Sequence, residues 1–213
     1  MIDISSLPVF LVAVAALLVV PGPDFVLISS QSVARGARFG IACSLGIFGA
    51  GILQTLLVAL GLGKVMETWP LVATVVRLLG AAYLVYLGTK LLLVWYRRRA
   101  IPEHSVPAKT QSAAVLLMVG LTNNLLNPKA LLFFSVFIPQ FVDPSIGSSS
   151  TQIAVWGGLL SLLALAYNIL LSVLFSAVRS LRIDVPRLQK HGQGVLGVLF
   201  LLLAARLSWA RAA

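Results

Sequence analysis

The sequence predicts an all-α integral membrane protein: six transmembrane helices arranged as two inverted three-helix repeats, with the first and fourth helices broken. Three observations carry this reading. The 213 residues are 59% hydrophobic and only 10% charged, with a mean hydropathy of +1.00, too apolar for a soluble domain with a polar shell. Apolar runs long enough to cross a bilayer core of about 30 Å recur six times. The basic residues gather in alternate connections between those runs.

The first run extends from Leu7 to about Ala34. It is preceded by Asp3 and by neither a basic stretch nor a small-residue cleavage site, so it is expected to be a retained span. Pro21, Gly22, Pro23 and Asp24 interrupt it. A proline lacks its N–H and clashes with the carbonyl one turn back, so a helix should stop here and restart near Pro23. The second span, Phe39 to Gly63, carries Gly46, Gly49, Gly51, Gly61 and Gly63, which fit close helix packing or a homodimer face. It also carries one amide, Gln54. The third span, Leu71 to Trp95, has Arg77 and Lys90 near its ends, where long side chains reach water, and Tyr83 and Tyr86 within it.

The fourth span, Ala113 to Phe141, contains Asn123, Asn124, Asn127, Pro128 and Lys129. These asparagines are expected to line a second break or to cap the half-helix after it. Phe133, Phe134, Phe137 and Phe141 follow at helical spacing and are read as lipid-facing or core, not as a cation cage. The fifth span, Ile153 to Val178, carries Asn168. The sixth, about Gly192 to Trp209, is the shortest. Trp69, Trp95 and Trp209 fall at span ends, as interfacial anchors do.

The formal net charge is +10, but its distribution argues for membrane orientation and against nucleic acid as a partner. Ten of the sixteen basic residues lie in three alternate connections: Arg35 and Arg38; Arg97, Arg98, Arg99 and Lys109; Arg179, Arg182, Arg187 and Lys190. By the positive-inside rule these connections face the cytoplasm and both termini the periplasm. The chain is thus expected to be one transport domain, residues 1–213. Residues 1–96 form the first repeat, 97–112 a basic cytoplasmic loop and 113–213 the second repeat.

Three spans followed by three more enter the membrane from opposite sides, so likeness between the halves means an inverted repeat, an arrangement common in secondary transporters. Pro23-Asp24 in the first span matches Pro128-Lys129 in the fourth. Gln54 and Asn168 recur in the second and fifth, and Arg77 and His191 each stand three residues before a glycine in the third and sixth. Asp24 and Lys129 are the ionisable groups placed nearest the bilayer centre, where each costs about 2.5–3.5 kcal/mol on insertion scales. Two readings of them are open: a buried pair that fixes helix register, or two poles that divide a zwitterion between them. In the second reading the backbone N–H groups after Pro23 and Pro128 add an anion site.

The stretch PGPDFVLISSQSVARGARFGIACSLGIFGAG, followed by LLGAAYLVYLGTKLL and then NLLNPKALLFFSVFIPQFVDP, resembles the LysE/RhtB family of bacterial amino-acid exporters. The resemblance covers nearly the whole chain. It implies a multi-pass protein of the bacterial inner membrane that exports amino acids or close derivatives, driven by the proton gradient. Its motifs fall on Pro21, Gly22, Pro23, on Arg35, Gly36, Gly40, on Asn127, Pro128, Lys129, and on Pro139, Gln140, Phe141. The candidate substrate-binding set is Pro21, Gly22, Pro23, Asp24, Gln54, Asn124, Asn127, Pro128, Lys129 and Asn168, with Asp24 the candidate for proton coupling.

A cavity with a single midplane acid suits a neutral or aliphatic amino acid better than a dibasic one. The expected partners are an amino acid, protons and the lipid bilayer. No cofactor or metal is expected: His104 and His191 are far apart, and Cys43 is a lone cysteine without a second thiol. The rivals are a cation or other small-solute carrier of the same fold, and a membrane enzyme, for which no nucleophile, base or metal motif is visible.

Overall fold

A computed structural model describes residues 3–19, 21–69 and 111–177, with isolated positions between 75 and 96 and between 198 and 202. The third and sixth expected spans and the basic segments 97–110 and 178–190 otherwise lie outside the described residues. With them go Arg77, Tyr83, Lys90, Trp95, the Arg97 to Arg99 triplet, His104, His191 and Trp209. The described residues are helical and include no strand.

A short 3-10 turn, Ile4–Ser6, leads into α1, Leu7–Val19. The Asp3 carboxylate shapes that turn by accepting from the Ser5 amide at 3.0 Å, the Ser5 hydroxyl at 2.6 Å and the Ser6 hydroxyl at 2.8 Å. The chain then breaks at Pro21 and Gly22 and restarts as α2, Pro23–Arg35, with Gly22 as its extended N-cap and Pro23 at its first position. That is the place a helix tolerates proline, because its missing N–H would have no partner there. Gly36 ends α2 at φ +99°, a conformation that favours glycine, and its N–H donates to the Ser32 carbonyl at 2.9 Å. A single residue thus reverses the chain into α3, Ala37–Val58.

Helix α3 continues through a π-helical turn, Ala59–Gly63, into a short α4, Lys64–Thr68. After the undescribed stretch, Ser112 caps α5, Ala113–Leu125, by accepting from the Val115 amide. Asn127 caps α6, Pro128–Leu132, which runs on as a π-helical turn, Phe133–Phe137, and a 3-10 turn, Ile138–Phe141. The last described element is α7, Ser149–Ala177. Two helices are each long and apolar enough to cross a membrane, Ala37–Gly63 and Ser149–Ala177. The bent pairs α1/α2 and α5/α6 qualify as one span each, giving up to four, and their bends are nearly equal at 55° and 56°.

Helix α3 is the centre of the packing, touching α2, α5 and α7. Glycines set its distances. A Cβ on Gly46 would fall 1.9 Å from the Leu117 carbonyl oxygen of α5, and one on Gly120 of α5 would fall 2.2 Å from the Cys43 carbonyl oxygen of α3. Gly51 meets Ser161 and Gly157 meets Thr55 in the same way across the α3/α7 contact. Gly46 and Gly51 of the second span therefore serve close packing inside the chain, where lipid offers no hydrophobic drive for helix association, whereas Gly61 meets nothing within 4 Å among the described residues.

Two apolar clusters result. One gathers Phe10, Phe133, Phe137, Phe141 and Trp156, with ring centroids 4.4–6.1 Å apart. The other gathers Phe25, Ile28, Cys43, Ile47, Leu116 and Phe175. The phenylalanines of the fourth span are thus core.

Because the Gly46 contact is with backbone, which cannot swing aside, Gly46→Ala is expected to destabilise the bundle by about 1–3 kcal/mol. Thermal melting in detergent checks this. Gly158→Ala, within a helix and with nothing within 4 Å of the added carbon, should not lower the melting temperature and should raise it slightly, since alanine favours a helix interior over glycine.

Candidate functional site

The two helix breaks face each other and each supplies the other's partners. Asp24, in the first turn of α2, is half-buried and accepts three side-chain amides from the second break. Asn123 Nδ2 donates to Oδ1 at 2.8 Å, and Asn124 Nδ2 and Asn127 Nδ2 donate to Oδ2 at 2.8 and 3.1 Å. In return the Lys129 ammonium donates to the Leu17 carbonyl at 2.8 Å. Leu17 lies in the last turn of α1, whose carbonyls have no partner within the helix and whose dipole end attracts a cation. Lys129 also passes over Gly22: a Cβ there would sit 3.5 Å from its Cδ and 3.6 Å from its Nζ.

Asn127 has a double role, since its Oδ1 accepts from the Lys129 backbone N–H at 3.0 Å while its Nδ2 serves Asp24. Both expectations for the asparagines, lining and capping, are met by this one residue. A carboxylate offers about four lone-pair positions. Three are filled by the amides, and the one left is on Oδ1.

A cavity of about 80 Å³ opens beside this junction, between the two apolar clusters. Gly22, Asp24, Asn124, Asn127 and Lys129 form its polar end. Leu17, Phe25, Ile47, Phe133, Phe134 and Leu160 are among its apolar walls, and Ser161, Tyr167 and Asn168 bring polar atoms from α7. The structure therefore brings six of the ten candidate residues onto one cavity: Gly22, Asp24, Asn124, Asn127, Lys129 and Asn168. Pro21 and Pro23 are not on the cavity wall; they form the first break, and Pro128 opens the helix after the second.

Gln54 stands one step behind the site, buried, with its Nε2 donating to the Asn124 carbonyl at 3.3 Å. It satisfies a backbone acceptor near the end of α5 and acts there as a link between helices. Tyr86 is exposed and does not border the cavity. Ser161 and Tyr167 escaped sequence reasoning. The spacing of Ser161 and Asn168, seven residues apart on α7, was the available signal.

Among the described residues no group of histidine, cysteine and acidic side chains could hold a metal. A cavity with separated acidic and basic poles, set at two helix breaks in an apolar bundle, is the build of a solute carrier. Comparison with known proteins agrees and is specific: the LysE type translocator family model matches residues 15–211, and the chain belongs to that family. It is a transporter and not an enzyme.

Its relatives include a leucine efflux protein of Klebsiella pneumoniae subsp. pneumoniae, 29% identical over 199 residues, covering 93% of this chain and 92% of that protein. The leucine efflux proteins of Salmonella choleraesuis and an Enterobacter species are each 30% identical. They cover 93% of this chain, and 92% and 93% of their own lengths. No solved structure matches the chain.

Loss of the Asn127 cap alone costs about 0.5–2 kcal/mol, and Asn127→Ala also removes a donor to Asp24. Calorimetry of the detergent-solubilised protein should show a lower melting temperature for Asn127→Ala than for Asn123→Ala, which removes one donor and no cap.

Proposed function

We propose that this protein exports neutral, chiefly aliphatic, amino acids across the bacterial inner membrane in exchange for protons. The observation that carries the reading is the chemistry of the cavity: an acid with one open acceptor position and a cation at one end, apolar side chains along the rest. A zwitterion with an aliphatic side chain matches that arrangement pole for pole. The relatives named leucine efflux protein point the same way.

In this mechanism the substrate carboxylate lies against Lys129 and the amino end of α2, and its ammonium takes the open position on Asp24 Oδ1. A proton competes for that same position. Binding of one excludes the other, which is a physical route to exchange. Alternating access follows from rocking of two inverted three-helix repeats within a six-span bundle, residues 1–96 and 113–213. The nearly equal bends of the two broken helices and the ordered matches between the halves support that arrangement. The alternating basic connections support cytoplasmic placement of the Arg35 end of α2 and periplasmic termini.

The deciding experiment loads proteoliposomes containing the purified protein with a mixture of the common amino acids, imposes a pH gradient and identifies by mass spectrometry which ones leave. Selective, gradient-dependent loss of leucine and similar side chains is expected. Loss of none, from sealed and correctly oriented liposomes, rejects the reading in favour of another solute. Asp24→Asn at full expression should abolish uphill export while sparing leucine exchange; persistent uphill export would move the proton site elsewhere. For Lys129→Ala the apparent leucine constant should rise about tenfold or more, the loss expected when a charge-assisted bond worth about 1.5–3 kcal/mol is removed.

A further inference from the structure

From the cavity toward the Arg35 end of α2 runs a second polar feature that the site does not use. Asp24, Gln31 and Arg35 share one face of α2, at spacings of seven and eleven residues, with Ser32 on its shoulder. Among the described residues eight buried side-chain polar atoms have no hydrogen-bond partner, and three of them belong to this one stretch: Gln31 Oε1, Ser32 Oγ and Arg35 Nη1. The neighbouring serines behave as serines in membrane helices usually do, Ser29 and Ser30 bonding the carbonyl one turn back at 3.2 and 3.0 Å. Ser32, wholly buried, does not.

Its hydroxyl points instead into a seam between α2, α3 and α7. A Cβ on Gly40 of α3 would lie 1.9 Å from Ser32 Oγ and 2.7 Å from Ser172 Oγ of α7. Ser44 Oγ bonds the Gly40 carbonyl at 2.9 Å and lies 3.5 Å from Ser172 Oγ. Ser172 in turn bonds the carbonyl of Asn168, whose side chain borders the cavity. Helix packing alone accounts for glycine at position 40, but not for a fully buried hydroxyl and amide oxygen left without partners. Each is unfavourable in a dry interior, where its lost hydration is not replaced, and not in water.

The aromatic residues Phe10, Phe137, Phe141 and Trp156 belong to the same apolar cluster as the cavity-lining Phe133, Phe134 and Leu160.

We propose that the seam at Ser32, Gly40, Ser44 and Ser172 is the closed cytoplasmic half of the transport path, a polar slot that parts to pass the amino acid to the cavity. Its hydroxyls would bond the ammonium and carboxylate in transit, and Ser32 and Gln31 gain partners when the slot is wet. The assignment rests on the transport function and orientation proposed above.

Cys43 supplies an internal control. It is the neighbour of Ser44 in sequence, yet it is buried in the apolar cluster facing α5. Full-length Ser32→Cys and Ser172→Cys proteins, each retaining Cys43, would be treated with a membrane-impermeant cationic methanethiosulfonate in inside-out and right-side-out vesicles. Peptide mass spectrometry reads the two thiols separately. The expected result is modification of the introduced cysteine from the cytoplasmic face about tenfold faster than Cys43, because solvent access governs the rate at similar thiol chemistry, with slowing by excess leucine.

If neither introduced thiol outpaces Cys43 from either face while leucine transport persists, the seam is packing and the proposal falls. Modification from the periplasmic face alone overturns it as well. Equal, rapid reaction of both thiols marks an unfolded variant, and the other variant then decides. Should leucine prove not to be a substrate, the leucine effect disappears but the contrast between seam thiol and Cys43 remains, which separates failure of the substrate reading from failure of the path.

Discussion

The constraint on which the rest depends is that backbone polar groups at membrane depth must find partners inside the protein. Two helices of this chain are stopped by proline midway, and each stop frees carbonyls on one side and N–H groups on the other. The solution is mutual. Lys129 from the second break bonds the end of α1, and the asparagines of the second break bond the acid that opens α2. Neither break is satisfied without the other. Glycines at 46, 51, 120 and 157 are needed because this exchange works only if α3 lets α5 and α7 approach closely enough to bring the breaks together.

Mutual satisfaction has a consequence for mechanism. A ligand that takes the Lys129 ammonium competes with the α1 carbonyl, and one that takes Asp24 Oδ1 joins the asparagine set. In the proposed mechanism, substrate binding at either pole therefore alters bonds that hold one broken helix to the other. Only interactions that differ between two states can shift the balance between them, and these bonds cross the boundary between the halves, where such a difference has the greatest leverage.

Within the described residues, what was legible is carried by side-chain type: prolines 21, 23 and 128 marked the breaks, and long apolar runs marked the two unbroken helices and the two bent pairs. The structure starts its last described span at Ser149, four residues before the apolar run begins, because polar Ser149 and Gln152 are buried there, with Gln152 bonding the Asp143 and Gly147 backbone. Illegible were the contacts whose partner is a carbonyl. Nothing in a sequence says that Lys129 reaches Leu17 or that Gln54 reaches Asn124, since every residue carries the same acceptor. The wide turns at Ala59–Gly63 and Phe133–Phe137 were equally silent. They shift the angle of the residues beyond them without altering the apolar pattern that defines a span.

The two closures of the cavity differ in kind, and the difference bears on direction. Opening through the aromatic cluster separates rings whose contacts are each worth about 0.5–1.5 kcal/mol beyond area burial and exposes apolar surface to water. Parting the α2/α3/α7 seam separates hydroxyls that water can bond and hydrates groups that lack partners when dry. On the proposed path the seam is the less costly side to wet, since the aromatic cluster holds one such group, Trp156 Nε1, behind ring surface. With the Arg35 end in the cytoplasm, an empty carrier would more readily present its site inward, where an exporter loads. On that proposed orientation the aromatic side would open only when bound substrate has changed the bonds between the breaks, so the contrast between an aromatic closure and a hydroxyl closure would give this bundle a direction that a symmetric pair of gates would lack.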